Sequence, residues 1–350
     1  MRDELVFEKI SLGTIDQCYS ALGIEIGGAP CLFFGGEGEG SVRAFRGEGF
    51  QECTRIWQGG GGTMSIVPFP GREGWVLASR GFYSMVDSAG STIELVRFDG
   101  QGFSHEPIAK LDYLHRFDTL LAPDGTRHLI AASLHGGKAD VDDWSKPGHL
   151  HVGALPADVE RSFWVELAQL PGDYCMNHGF CKGEWEGREA AFIASREGLF
   201  AVLPPERLED AWRVEQLMDV PVSDIALCDI DGDGEKEIAA LMPFHGNQFK
   251  IFHRDGAAYR EVFSYPVEND FYHAVISGRI NGESMFMGGA RRLAADLFLV
   301  RWDAQRHEYY TQQLEAGKGP SNLALLNGAG GDLLLSANRM VDEAAVYRFR

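Results

Sequence analysis

Long apolar runs are missing from this 350-residue sequence. No stretch reaches the roughly 18 uncharged apolar residues that a membrane span requires. Met1-Arg2-Asp3-Glu4 lacks the apolar core of a secretory signal, so a cytoplasmic location is expected. Basic runs are absent as well, and a net charge of −19 with a pI near 5.0 repels phosphate backbones and anionic bilayers. Nucleic acid and membranes are therefore not expected partners. The six cysteines (Cys18, Cys31, Cys53, Cys175, Cys181, Cys228) form no C-x-x-C pair and no compact framework, which argues against a disulfide or zinc scaffold and for small buried thiols. Helical periodicity is scarce, and only residues 204–213 could hold a turn or two of helix. No G-x-S-x-G elbow, P-loop or dinucleotide fingerprint occurs in a strand-to-helix setting, which sets aside serine-hydrolase, nucleotide and nicotinamide chemistry.

What is present is a globular composition, with 45% hydrophobic and 24% charged residues and a mean hydropathy of −0.17. The 43 glycines, without a collagen period, fit a chain of many tight turns. Short alternating runs dominate. A strand-like segment recurs at residues 50–57, 103–111, 163–170, 212–218, 259–265 and 309–314. Each is preceded by another alternating run that ends in a turn, at residues 41–47, 93–100, 149–155, 199–204, 249–256 and 297–303. A seventh such run, residues 345–350, has no follower; the missing partner is residues 4–10, which share the alternation. Spread over seven repeats, 350 residues give 50 each, the length of a four-stranded propeller blade. The expectation is one all-β domain over 1–350: a seven-bladed β-propeller closed by residues 4–10 as the outer strand of the last blade. A two-sheet sandwich explains neither the period nor the split final repeat.

The fifth repeat contains Asp229-Ile230-Asp231-Gly232-Asp233-Gly234-Glu235-Lys236-Glu237, a D-x-D-G-D-G-x-x-E spacing. Alternate carboxylates in a tight loop converge on one point, and hard oxygen ligands suit Ca²⁺. An EF-hand needs an acidic twelfth residue, which is Ala240 here, and flanking helices, whereas residues 222–228 and 238–242 read as strands. This is a metal loop at a β-hairpin. On these residues the chain resembles the FG-GAP or VCBS repeat propellers, the group that includes integrin α-subunit heads and bacterial carbohydrate-active proteins. The resemblance implies calcium on Asp229, Asp231, Asp233 and Glu237, with the backbone carbonyl of Glu235, and a structural role in tying down the hairpin. It covers one blade: the equivalent turns at residues 123–125, 185–187, 280–282 and 327–328 are plain hairpin turns.

A second recurrence bears on function. Asp112-Tyr113-Leu114-His115 and Asp270-Phe271-Tyr272-His273 lead into the innermost strands of the third and sixth repeats, and Asp173 to His178 is a longer relative in the fourth. The fifth has Ser223-Asp224 there and the seventh Ser321-Asn322. The ends of the second strands carry Arg80, Arg196, Arg291 and Arg339, with His135 and His245 in the third and fifth repeats. In an antiparallel hairpin the start of the first strand lies beside the end of the second, so both sets are expected around one mouth of the tunnel, opposite the acidic loop. His115, His178 and His273, with Tyr113 and Tyr272, are the candidate catalytic residues. Arg80, Arg196, Arg291, Arg339, His135, His245, Asp224 and Asn322 are the candidate substrate ligands.

Cationic side chains gathered in a protein of net charge −19 point to an anionic or polar small molecule or oligosaccharide. Neutral imidazoles suit a transition metal, so His115, His178 and His273 are expected to hold a second divalent ion, Mn²⁺, Zn²⁺ or Mg²⁺. The function expected is that of a metal-assisted carbohydrate enzyme, a lyase or dehydratase acting on an acidic or keto sugar. The alternative is a non-catalytic propeller that binds a ligand or protein, with the long insertion at residues 136–148 and its Trp144 serving as lid or docking surface.

Overall fold

The computed structural model describes residues 3–256, 258–328 and 330–350. They form seven four-stranded antiparallel sheets, each ordered first to fourth strand from the axis outward. The innermost strands are Cys18–Ile26, Ile66–Pro68, Leu114–Leu121, Gly179–Trp185, Asp224–Cys228, Asn269–Ile280 and Pro320–Gly328, one per blade. The seventh sheet is completed by Phe7–Thr14, which pairs antiparallel with Glu343–Phe349. The ring therefore closes as the split repeat requires. The closing strand starts later than expected. Val6 is 66% exposed, and Leu5 is tied instead to blade 6, donating to Gln312 Oε1 and accepting from Gln312 Nε2.

Each sheet packs a neighbour on both faces, so its middle strands are buried on both sides. Their alternation gives way to continuous apolar runs, as in Arg188–Ser195 and Leu297–Asp303. Apolar clusters fill the junctions between blades. Phe249 and Tyr265 of blade 5 meet Phe286 and Phe298 of blade 6, and Phe34 and Phe45 of blade 1 meet Leu335 and Val346 of blade 7. Tight turns join the strands: Glu186-Gly187 and Asn281-Gly282 both have positive φ, the geometry of two-residue hairpin loops that follow the sheet twist.

Two local expectations are corrected. Residues 204–212 form bends and a turn rather than helix, and the outer strand of blade 4 starts at residue 213; the exposed Leu208 finds no core face there, and so short a helix is marginal without one. The outer strand of blade 3 shrinks to Ala168–Gln169, because Val165 is drawn into the junction with blade 2, where its N–H donates to the Ile108 carbonyl at 2.7 Å. All six cysteines are free. Among the described residues no helix is long and apolar enough to cross a membrane.

Candidate functional site

Six of the seven blades begin in the same way. A residue of positive φ stands two positions before the side chain that reaches the axis: Gln17 before Tyr19, Gly62 before Met64, Tyr113 before His115, Met176 before His178, Phe271 before His273 and Gly319 before Ser321. In four of these blades the ladder then skips one residue, and those residues are Tyr19, His115, His273 and Ser321. A bulge leaves its extra residue unpaired and re-aims its side chain. The repeated Asp-x-x-His pattern is the sequence trace of this turn-and-bulge device. Asp16-Gln17-Cys18-Tyr19 is a third copy at the same spacing, with tyrosine in the histidine's place, and a reading confined to histidine passes over it.

The side chains so aimed converge. His178 Nδ1 donates to the Ser223 carbonyl at 3.2 Å and His273 Nδ1 to the Ser321 carbonyl at 2.7 Å. A carbonyl accepts only from N–H, so each neutral ring keeps its Nε2 lone pair directed inward. His245 joins them: its Nε2 is 3.3 Å from His178 Nε2, and one ring nitrogen each of His178, His245 and His273 lies within 4.8 Å of the others. Metal-ligating imidazoles are commonly oriented in this way, by donating their other N–H to a backbone carbonyl. The converging group is thus His178, His245 and His273 rather than the expected His115, His178 and His273. The reason lies in Tyr19, whose hydroxyl contacts His273 Nε2 at 3.3 Å and His115 Nε2 at 3.2 Å. It donates to His273, whose Nε2 can only accept, and so accepts from His115 Nε2–H. His115 spends its inward nitrogen as a donor.

The site is buried and electropositive. His178 and His273 are 1% exposed, and His245 lies between the rings of Phe244 at 3.9 Å and Phe271 at 4.2 Å. Burial above all, then the neighbouring imidazoles and Arg116, holds His178 well below the ordinary imidazole value. His245 is pushed down to about 3 by burial and then by Arg291, Arg292 and Arg116. All are neutral at physiological pH. Burial likewise pushes the Tyr19 hydroxyl up, keeping it protonated. Arg291 has a buried Nε without a hydrogen-bond partner and is lowered to about 10 by burial and then by Arg339.

Other expected site residues are dispersed. Tyr272 is 1% exposed in the core between blades 5 and 6, against Phe249 and Phe298, because the bulge sends His273 and not Tyr272 to the axis. Tyr113 packs at a tilt against His135 at 4.3 Å beside a cleft between blades 2 and 3. Arg196 is exposed and pairs with Glu197, and Arg80 lies over Trp57 and donates to the Gln58 carbonyl. Arg339 is near the mouth but bound to Glu37 at 2.5 Å and to Gln17. Asp224 is buried 3.7 Å from Arg116, and Asn322 donates to the Tyr19 carbonyl, so both join blades. Trp144 packs edge-on against Phe244 at 5.1 Å, placing the 136–148 insertion over the ring that covers His178.

At the opposite end of the blade 5 hairpin, between Asp224–Cys228 and Glu237–Met242, the acidic loop brings Asp231, Asp233 and Glu237 together with His253, again within 4.8 Å. Asp229 turns inward to accept from the N–H groups of Gly232 and Gly234, and the Glu235 N–H donates to Asp233. Glu237 is fully buried; its Oε2 accepts from the Ile230 N–H, while Oε1 has no hydrogen-bond partner. Burial pushes its carboxyl up to about 7. His253, contributed by the third strand, has no counterpart in the motif and is invisible to local spacing.

No family model and no curated protein sequence matches the chain. Among solved structures it is similar to a putative 6-phosphogluconolactonase from Bacteroides uniformis, with a TM-score of 0.60 and 12% identity over 89% of each chain. At that identity the likeness is one of fold: both are built on the propeller plan.

Proposed function

We propose that the protein is a metal-dependent enzyme acting on an anionic sugar derivative at the axial mouth. The observation that carries this reading is the convergence of three neutral imidazoles, two of them oriented by backbone carbonyls, beside the under-paired Arg291. A divalent transition ion fits the nitrogen donors of His178, His245 and His273 and, when bound, would polarise a substrate carbonyl or carboxylate. Arg291 would hold the anionic group, with Phe271 and Arg292 at the rim. The chemistry we propose is β-elimination from an acidic or keto sugar. With His273 Nε2 given to the ion, Tyr19 would turn its hydroxyl to His115 in the Nδ1–H tautomer; the C–H next to the polarised carbonyl then gives its proton to Tyr19 Oη while the Tyr19 proton passes to the free His115 Nε2, and the neighbouring C–O bond breaks. The pair returns a proton from Tyr19 Oη to the departing oxygen, so that water or an alcohol leaves and the pair ends as it began. The name of the similar propeller, a 6-phosphogluconolactonase, supports a substrate of this class. At the other face we propose a structural calcium ion on Asp231, Asp233 and Glu237, in keeping with the FG-GAP-like spacing.

A second reading, a propeller that binds its ligand without chemistry, is favoured by the near-complete burial of His178 and His273, with Phe244 against the His178 ring. Elemental analysis of the purified protein, followed by assay of sugar acids and keto sugars for an unsaturated product, separates the two. Stoichiometric transition metal with turnover lost in Arg291→Gln supports the enzyme. Metal-free protein, or a metalloprotein that binds sugar acids without converting them, overturns it.

A further inference from the structure

The cation loop of blade 5 does not end at the hairpin. Asp231 and His253, two of its four converging groups, also line a cleft of about 510 Å³ between blades 5 and 6, with Arg260, Phe263, Trp302 and Tyr309 along its walls. Tyr309 stands 4.8 Å from Trp302 and 5.4 Å from Phe263, centroid to centroid, with its plane at 64° and 45° to theirs, so three partly exposed rings make a stepped apolar shelf. Past Phe263 and Tyr309 the cleft runs into a second groove of about 1030 Å³.

Two features indicate that the loop is built to hold an ion rather than merely to turn. The Glu237 side chain is fully buried, yet its Oε1 lacks a hydrogen-bond partner and lies 3.7 Å from His253 Nε2, within the converging group. His253 comes from the neighbouring strand Gln248–Asp255 and closes the group from the cleft side. One nitrogen and three carboxylates leave a six- to eight-coordinate ion with at least two places unfilled. Asp231 and His253 face the cleft, so those places open toward the aromatic shelf.

We infer that blade 5 presents a divalent cation to this cleft, and that the cleft binds a sugar ring stacked on Trp302 with Tyr309 inclined beside it, two of the sugar's hydroxyls completing the coordination of the ion. Adjacent hydroxyls are neutral oxygen donors that can replace two waters, and the apolar face of a pyranose matches an aromatic shelf. Arg260 stands where an acidic substituent would be neutralised. The continuation into the second groove accommodates further units of an oligosaccharide. This site is independent of the axial chemistry and rests only on the loop holding a cation.

Terbium in place of the cation tests each part. Tb³⁺ added to the metal-depleted protein is expected to bind one per chain at the loop, with emission sensitised by the adjacent Trp302 and Tyr309. Lifetimes in H₂O and D₂O are expected to count two or more bound waters. Titration with methyl glycosides, free hexoses and uronic acids is expected to lower that count for at least one of them. Trp302→Leu should keep Tb³⁺ binding, read by direct excitation, yet weaken the sugar effect about tenfold or more. Asp231→Asn together with Asp233→Asn should lose both. Failure of Tb³⁺ to bind overturns the cation reading and the inference together. Binding with no coordinated water, no response to any sugar, or a response unchanged in Trp302→Leu overturns the inference alone and leaves a purely structural ion.

Discussion

His178 Nε2 and His245 Nε2 face each other at 3.3 Å across the junction of blades 4 and 5, too close for two bare lone pairs without a proton or cation between them. Nδ1 of His178 is committed to the Ser223 carbonyl, and the Ser223 hydroxyl in turn accepts from the backbone N–H of His245. One serine therefore fixes the His178 ring and the backbone that carries His245.

That arrangement distinguishes His245 from His115. In protein loaded with Zn²⁺, His245→Gln should weaken metal binding by about 100-fold or more, because a ligand is lost, whereas His115→Gln should cost about tenfold or less. Competitive titration against a chelating dye reads both. Equal losses would restore His115 to the metal group.

The acidic loop should act on stability without reaching the axis. A chelator should lower the thermal midpoint of the wild type, since an ion bound only by the folded state contributes about 2.7 kcal/mol at a hundred times its dissociation constant. Asp231→Ala should start from the lower midpoint and no longer respond. Scanning calorimetry with metal analysis checks both, and zinc at the axis should be unchanged because the loop and the mouth lie at opposite ends of the blade 5 hairpin.

Closure by Phe7–Thr14 should be required for folding. Lys9 bridges Glu315 of blade 6 and Glu343 of blade 7, and Phe7 packs on Tyr347 and Phe349. Phe7→Ala should cost about 2–3 kcal/mol in urea unfolding, less than a fully buried Phe because the ring is partly exposed. A chain lacking residues 1–14 should be insoluble or molten. Undiminished stability of that chain would exclude a closing role for the strand.

Asp224 gives a pH signature. Burial above all raises its carboxyl to about 6, against the lowering effect of Arg116. Its folded-state value lies above the unfolded one, so the folded protein holds an extra proton between about pH 4 and 6. Its contribution is then full below that window and lost as the pH rises through it. The stability difference between wild type and Asp224→Asn should shift against the wild type by about 2–3 kcal/mol from pH 4 to pH 7, measured by urea unfolding. A difference constant with pH would show that the carboxyl is ionised throughout.

Much of the architecture was legible along the chain. Blade number, strand alternation, the split last repeat and the acidic hairpin loop all follow from periodicity and local turn chemistry, which act over a few residues and leave their pattern in order. The site was legible only in part. His178, His245 and His273 could be placed at one mouth because their offsets from strand ends recur. Which three converge could not be read, because a bulge turns His273 inward and Tyr272 into the core, and Tyr19, 96 residues away, occupies the Nε2 of His115. His253 was hidden for the same reason: it belongs to the third strand of its blade and meets the loop only across the sheet. Local spacing decides where a side chain leaves the backbone. The ring, by bringing distant blades within hydrogen-bond range, decides what that side chain meets, and so only the tertiary structure chose which three imidazoles converge.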